Sequence, residues 1–296
     1  MIAPPIGVIR LSLWSATYGD NLKRDPYVRI KSGSQVRART ETLDRTVSPE
    51  WGEFHYIPIH SIREDLVLEL MESTDNKDKT LGSTLLQPKE LIQQQEGDII
   101  GYESLVEKLE KDVPLNDQKD AKLRYSAEFY PTLNPAIHKD TRYTPDDIVD
   151  LISYSTGVLT VKIHELKLDK PFEVYCQLLV DSLLPQYKTS IRKGKTLTFG
   201  ETSDAFIKDV GFSRIAVEVK PSDKTESDES KIGYWYESSE RIVRSIQKRI
   251  RSGQSFEEDE GVWYDLIGGT GQIRLSFDYA PLLNYRMNPD ESLESK

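Results

Sequence analysis

Cysteine is almost absent: the 296-residue chain has one, Cys176, so no internal disulfide can form. That thiol sits in the apolar run VYCQLLV, where a buried core position is expected rather than a reactive one. Histidine is scarce as well. The four (His55, His60, His138 and His164) are scattered over strand and linker runs, with no metal-ligand spacing and no triad pattern. No apolar run approaches the ~20 residues that a membrane-spanning helix requires. The start, MIAPPIGVIRLSLW, has neither a basic n-region nor an apolar h-region, so no signal peptide is expected and a reducing, cytosolic setting is. Positive charge is in deficit: 39 Lys and Arg against 49 Asp and Glu give a formal net charge of −10. That balance argues against nucleic acid as a partner, because neutralising phosphates takes a cationic surface. An anionic membrane stays open, since local patches act within a Debye length of roughly 8 Å.

What is present is a repeat. GVIRLSLW at 7–14 and GVLTVKIHEL at 157–166 are both period-2 strands, with Ile9, Leu11 and Leu13 on one face of the first and Leu159, Val161 and Ile163 on one face of the second. The closing strands AKLRYSAEFYPTL and GQIRLSFDYAPLL match too. Gly7 to Gly157 and Pro131 to Pro281 keep the same offset of 150 residues, so two copies of one unit account for most of the chain. Trp51-Gly52-Glu53 is echoed by Phe199-Gly200-Glu201. Both copies are built of short β-branched and aromatic runs between Gly, Pro, Asp and Ser clusters, the texture of a β-sandwich. Helices are expected at ESLVEKLEK and SSERIVRSIQKRIRSG, and a further helix start at Thr144, with Pro145 in its first turn. The expected division is 5–134 for the first domain, 135–155 for a linker, 156–285 for the second domain and 286–296 for a tail.

RDPYVRI, then TVSPEWGEFHYIPI, then LVLELMESTDNKDKTLGS resemble the successive signatures of a C2 domain, and the closing YSAEFYP fits with them. One strand precedes Asp-Pro-Tyr and an additional one closes the copy, which resembles the type II circular strand order. The second copy has lost Asp-Pro-Tyr and would not be identified alone. A clear C2 domain followed by a degenerate one resembles the tricalbins, fungal relatives of the extended synaptotagmins; EDLVLELMESTDNKDKTLGS, YTPDDIVDLISYSTGVLTVKI and YAPLLNYRMNPDESLES carry that likeness. The resemblance implies an all-β chain of two eight-stranded antiparallel β-sandwiches joined by a linker with a short helix. It implies no enzymatic activity, docking on anionic membrane phospholipid, and a place on the cytosolic face of the cortical endoplasmic reticulum at contacts with the plasma membrane. Tricalbins also carry a membrane anchor and a tubular lipid-transfer domain; neither is read in this sequence, which looks like the tandem C2 part of a longer chain. A protein–protein scaffold is the rival reading, with protein partners in place of lipid.

In C2 domains that bind calcium, two loops at one end of the sandwich supply about five carboxylates to an ion that takes roughly 6–8 oxygens. The resemblance places Asp20 and Asp25 in the first such loop here and Glu72, Asp75 and Asp78 in the other. The spacing departs from the family: the first pair is one residue closer, the other loop is one residue short, and Thr74 takes a ligand position. Lys23, Arg24, Lys77 and Lys79 interleave with these acids. A weak calcium site and an acidic loop pair neutralised from within both stay open. In the second copy Glu173 replaces the aspartate, and Lys220-Pro221 stands where the later carboxylates should begin.

Two basic patches are candidates for lipid. On PYVRIKSGSQVRAR, Arg29 and Lys31 lie two apart on one strand and Arg37 and Arg39 two apart on the next, so all four are expected on one face, with Val28, Ile30, Val36 and Ala38 inward. The resemblance adds Tyr27 to this head-group set, and sets Glu41 where another cation is usual. On SERIVRSIQKRIR, Ile242, Ile246 and Ile250 form an apolar stripe and Arg241, Arg244, Lys248 and Arg251 a basic one. That segment either lies at a membrane interface or docks its isoleucines on the sandwich and leaves its cations solvated. GGTG at 268–271 precedes a strand, so it reads as a hairpin turn and not as a phosphate loop.

Overall fold

The structure is a computed structural model that describes residues 4–18, 20, 22–92, 109–115, 118–133, 150–181, 185–222, 231–254, 256 and 260–282. The chain divides into two compact units with main spans Ala3–Thr132 and Leu133–Pro281.

In the first unit, alternating apolar residues build eight strands: β1 (Gly7–Thr17), β2 (Pro26–Ser32), β3 (Gln35–Arg39), β4 (Glu50–Ile59), β5 (Leu66–Glu72), β6 (Lys79–Leu86), β7 (Leu109–Leu115) and β8 (Gln118–Pro131). They form two four-stranded sheets, ordered β4-β1-β8-β7 and β3-β2-β5-β6, with antiparallel pairing throughout. Ile9, Leu11 and Leu13 of β1 face Val28 and Ile30 of β2 and Leu66, Leu68 and Leu70 of β5 across a core that also buries Tyr125. Each such side chain contributes about 1.5–3 kcal/mol by leaving water. The helix expected at ESLVEKLEK is not formed over its last three residues. Leu109, Glu110 and Lys111 belong to β7 and pair with β8 residues Ala127, Ser126 and Tyr125; the earlier residues of that run lie outside the described ones. The open edge of β8 overrides local helical preference here, because its backbone groups need partners.

The second unit has β9 (Gly157–Val180), β10 (Tyr187–Lys188), β11 (Arg192–Ile207), β12 (Arg214–Pro221), β13 (Gly233–Ser238), α1 (Ser239–Arg251), β14 (Val262–Asp265) and β15 (Gly271–Pro281). Among the described residues seven strands stand where eight were expected, because β9 does the work of both β1 and β2. Its first half pairs with β11 and β15, and its second half with β10, β11 and β12. The cause is a shorter connection. Val28 N–H donates to Thr40 Oγ1 at 2.9 Å and Cys176 N–H donates to Thr189 Oγ1 at 2.9 Å, which equates Tyr27 with Tyr175. Gly7 to Tyr27 is 20 positions and Gly157 to Tyr175 is 18, so the loop that interrupts the strands of the first unit is shortened into continuous strand. GGTG forms the hairpin turn between β14 and β15, as expected.

Ser238 caps α1, its hydroxyl accepting from Arg241 N–H at 3.4 Å. Ile242, Val243 and Ile246 are buried in the core and Ile250 packs against it, so the apolar stripe docks on the sandwich. Gln247 Oε1 accepts from Leu151 N–H at 2.7 Å. Leu151, in a one-turn 3-10 helix (Leu151–Ser153) capped by Asp150, is itself part of this core, so packing in the second unit takes in residues expected to be linker. The helix start at Thr144 lies outside the described residues.

The repeat extends to backbone detail. Gly52 and Gly200 are both left-handed, with φ of 66° and 62°. At Gly7 a Cβ would run into the Phe129 ring and Tyr130 O, and at Gly157 into the Tyr279 ring and Ala280 O. Gly157→Ala therefore overpacks the core at β15, and a loss of about 1–3 kcal/mol is expected. It is read as a lower urea midpoint, and Gly7→Ala should behave alike. Unaltered midpoints in both would contradict the close approach.

Candidate functional site

The β2–β3 hairpin carries the first basic patch, and its register decides who is on it. Arg29 lies opposite Arg39 and Ile30 opposite Ala38, but Lys31 lies opposite Val36, which leaves Arg37 in a bulge. An extra residue in one strand flips the side chains beyond it. Val36, expected inward, is on the outer face with Lys31 and is 47% exposed. Arg37 leaves the group: its guanidinium donates to Pro58 O at 3.1 Å. Arg29, Lys31 and Arg39 remain together. Arg29 Nε is 2.7 Å from Glu69 Oε2 and Lys31 Nζ 3.3 Å from Glu69 Oε1, so one carboxylate serves two cations. Arg39 lies flat over Tyr27, 4.1 Å from the ring centre, and Tyr27 is buried beneath it. Three cations against two carboxylates, Glu69 and the Asp78 that accepts from Tyr27 OH, still leave this face basic. Beside them, Val36, Lys31, Val67 and Leu85 form a cross-strand row, in which Leu85 is also exposed. Glu69 adds to the residues expected on this face, and its outward phase between Leu68 and Leu70 is visible in the sequence.

The acidic loops are arranged around a guanidinium. Arg24, its side chain only 7% exposed, donates to both oxygens of Asp20, at 2.6 and 2.7 Å. Its Nε is 3.9 Å from Glu72, and its guanidinium stacks 4.9 Å from the Tyr18 ring centre. Reciprocal backbone bonds with Thr46, at 3.0 and 2.8 Å, hold Arg24 in place. Those hydrogen bonds from Arg24 hold the Asp20 carboxyl below its ordinary range, at about 2. The other carboxylates are committed elsewhere. Asp78 accepts from Tyr27 OH at 2.6 Å and from Thr74 N–H at 3.3 Å, the tyrosine bond foremost in lowering its pKa. Asp25 Oδ1 accepts from Arg45 N–H at 2.7 Å, and Asp75 is exposed at the loop tip. Among the described residues no group of three or more His, Cys, Asp or Glu side chains is placed to hold a metal ion. The side chains as arranged do not fit calcium, whose ligand oxygens would have to release Arg24, Tyr27 and the backbone donors of Leu22, Arg45 and Thr74. In the second unit Glu173 accepts from Ser222 Oγ at 2.7 Å, and the acidic run after Ser222 lies outside the described residues.

On α1 the stripe Arg241, Arg244, Lys248 and Arg251 is exposed. Arg244 pairs with Glu240 at 2.7 Å and Arg241 with Glu237 at 3.5 Å, both one helical turn away. Exposed i,i+4 pairs of this kind are weak, yet they halve the free charge of the stripe. Trp235 is buried against Phe277 and Tyr264, whereas Tyr236 is 54% exposed. The described histidines stay apart: His164 Nε2 is 2.8 Å from Ser276 Oγ inside the second unit, and His55 lies beside Glu53 in the first. Cys176 is fully buried, and burial pushes its thiol pKa up, as expected for a core position.

Residues 7–100 match the C2 domain family, and residues 151–242 match the tricalbin-1-like C2 domain family. The chain is 28% identical over 138 residues to Tricalbin-1 of Saccharomyces cerevisiae, which covers 44% of this chain and 12% of that protein. It is 31% identical over 93 residues to extended synaptotagmin-3 of Xenopus tropicalis, which covers 28% of this chain and 10% of that one. It thus spans about an eighth or less of the length of these relatives. Among solved structures, a piece of extended synaptotagmin 2 that holds its SMP domain and two C2 domains superposes with a TM-score of 0.55 at 17% identity, covering 95% of this chain and 58% of that one. The calcium-bound pair of C2 domains from the same protein gives 0.53 at 17% identity, over 96% of this chain and 100% of that one. These similarities establish a shared fold.

Proposed function

We propose that this chain, a tandem of two C2 domains of tricalbin-like type, docks on anionic phospholipid through basic surface and without calcium. The observation that carries the proposal is the pairing of two features of the first domain. Its open β3-β2-β5-β6 face gathers Arg29, Lys31 and Arg39 on an acidic protein, and three of its loop carboxylates are already engaged, Asp20 by Arg24, Asp78 by Tyr27 OH and Asp25 by the Arg45 N–H. In a longer chain resembling the tricalbins, such a pair would tether a lipid-transfer domain between the endoplasmic reticulum and the plasma membrane. The domains bind and do not catalyse. The rival, a protein scaffold, draws support from α1, whose apolar face is used up in docking and whose first two arginines are paired with Glu237 and Glu240.

Liposome flotation tests this. The chain should float with phosphatidylserine-containing vesicles and not with phosphatidylcholine alone, float equally in calcium and in chelator, and come off as salt rises. Each Lys or Arg held near an anionic leaflet is worth roughly 1 kcal/mol, so the interaction is a sum of screened contacts. A chain that never floats belongs to the scaffold reading. A chain that floats only with calcium contradicts the role given to Arg24.

A further inference from the structure

The loop that follows β3 brings a hydroxyl to the basic face of the first unit. Arg39 Nη2 donates to Thr42 Oγ1 at 2.7 Å, and the same guanidinium lies 4.1 Å over the Tyr27 ring centre. Tyr27 OH donates in turn to Asp78 at 2.6 Å, so Thr42 stands at the end of a chain of contacts that runs through one cation of the face to its second carboxylate. Thr42 is exposed, and residues 40–44 belong to no helix or strand. Thr40 differs: it is buried, and its Oγ1 accepts from Val28 N–H at 2.9 Å and donates to Glu41 O at 3.0 Å.

Arg37 and Arg39 stand five and three positions ahead of Thr42. That is the spacing at which basophilic protein kinases set their acidic pockets. In an extended substrate, residues two apart point the same way, so both guanidinia can meet one acidic surface. β3 is a five-residue edge strand, paired to β2 alone and bulged at Arg37. Freeing residues 37–42 for such an enzyme is therefore a local opening and not an unfolding of the domain.

The second copy keeps this scaffold and lacks the acceptor. Thr189 takes the place of Thr40, each hydroxyl accepting from a strand N–H, and Lys188 lies 5.6 Å from the Tyr175 ring centre as Arg39 lies over Tyr27. Carried along at the same offset of 149 residues, Thr42 becomes Ile191 and Arg37 becomes Gln186. The hydroxyl and its pair of arginines thus occur together beside the basic face of the first unit and are lost together in the second.

We infer that Thr42 is a phosphorylation site whose modification releases the β3-β2-β5-β6 face from anionic membrane. The γ-phosphoryl group of ATP passes to Thr42 Oγ1: the bond from the γ-phosphorus to its bridging oxygen breaks, the bond to Oγ1 forms, and ADP and the hydroxyl proton leave. Phosphothreonine carries about −1.5 to −2 charges and three acceptor oxygens. Arg39 is already within hydrogen-bond distance of the oxygen that becomes the ester, so the phosphate arrives at that guanidinium. A face of three cations and two carboxylates then becomes net negative. This inference rests on the membrane reading given above and supplies its regulation.

The test uses the whole chain, ATP and a purified kinase selective for arginine at the third and fifth positions before the acceptor. Mass spectrometry should place phosphate on Thr42. The phosphorylated chain should need about 30-fold more phosphatidylserine vesicle for binding, because the phosphate offsets about two cations, and phosphatase should restore the original curve. Thr42→Ala carried through the same incubation should bind vesicles as the untreated parent does, which separates Thr42 from any other residue the kinase modifies. If a peptide of residues 35–46 accepts phosphate and the folded chain does not, the edge strand withholds the site and the inference fails. A chain phosphorylated on Thr42 that binds vesicles as tightly as before overturns it too, and leaves the membrane reading standing. An untreated parent that binds no vesicles removes both.

Discussion

Replacing Arg29, Lys31 and Arg39 together by glutamine is expected to weaken binding to phosphatidylserine vesicles by about 100-fold, from roughly 1 kcal/mol per cation. The same substitution at Arg37 should change it little, because that guanidinium is turned to Pro58 O and away from the face. The contrast matters, as all four residues have equal claims by charge and spacing alone. Glutamine is preferred to glutamate because Glu69 lies between Arg29 and Lys31, and reversed charges there would add repulsion to the fold. Vesicle titration in low and physiological salt gives the measurement, with the salt slope falling along with affinity. If the triple variant binds like the parent while Arg37→Gln does not, the bulge has been assigned to the wrong face.

That bulge marks the boundary of what the residues disclosed on their own. The repeat was plain in the 150-residue offset of Gly7 and Gly157, and the two glycines prove to stand where an aromatic ring leaves no room for a side chain. The apolar stripe of Ile242, Ile246 and Ile250 on α1 was legible too, but its period fits a membrane interface as well as a core, and only the fold docks it on the sandwich. Register is different. One extra residue at Arg37 moves Val36 outward, and nothing in the composition of the hairpin announces it. The fusion of two strands into β9 was hidden for a related reason: Asp169-Lys170-Pro171 looks like a turn, and only the pairing of β11 with the residues on both sides of it carries the strand through. Helical composition in ESLVEKLEK misled over its end, where the edge of β8 supplied stronger demands than local propensity. At the acidic loops the sequence left two outcomes open, and the geometry favours internal neutralisation because Arg24, four residues from Asp20, can reach both of its oxygens.

Removing that guanidinium has the second large expected effect. Arg24→Met should lower the melting temperature of the first domain by about 5 °C, since a buried side chain loses two charge-assisted hydrogen bonds and its stacking on Tyr18. The parent should gain almost nothing from calcium. Ligand-linked stabilisation follows RT ln(1 + [L]/Kd), so even a Kd near 10 µM would add about 2.7 kcal/mol at ~1 mM, a shift that calorimetry cannot miss. In Arg24→Met, Asp20 and Glu72 lose their cation, and calcium should restore part of the lost stability, where sodium at equal ionic strength does not. Acid gives an independent readout. Asp20 is held at about 2, below its ordinary 3.8, so its contribution is fully present above pH ~4 and is lost as pH falls through about 2. The stability gap between parent and Arg24→Met should therefore be constant from neutral pH to about 4 and close below it. A parent that calcium stabilises by several degrees, with the gain abolished in Asp20→Asn, would show that the ion displaces the arginine and that the loops are a working metal site. A variant that melts early but ignores calcium would show that Arg24 is a structural ion pair and does not occupy a cation's seat.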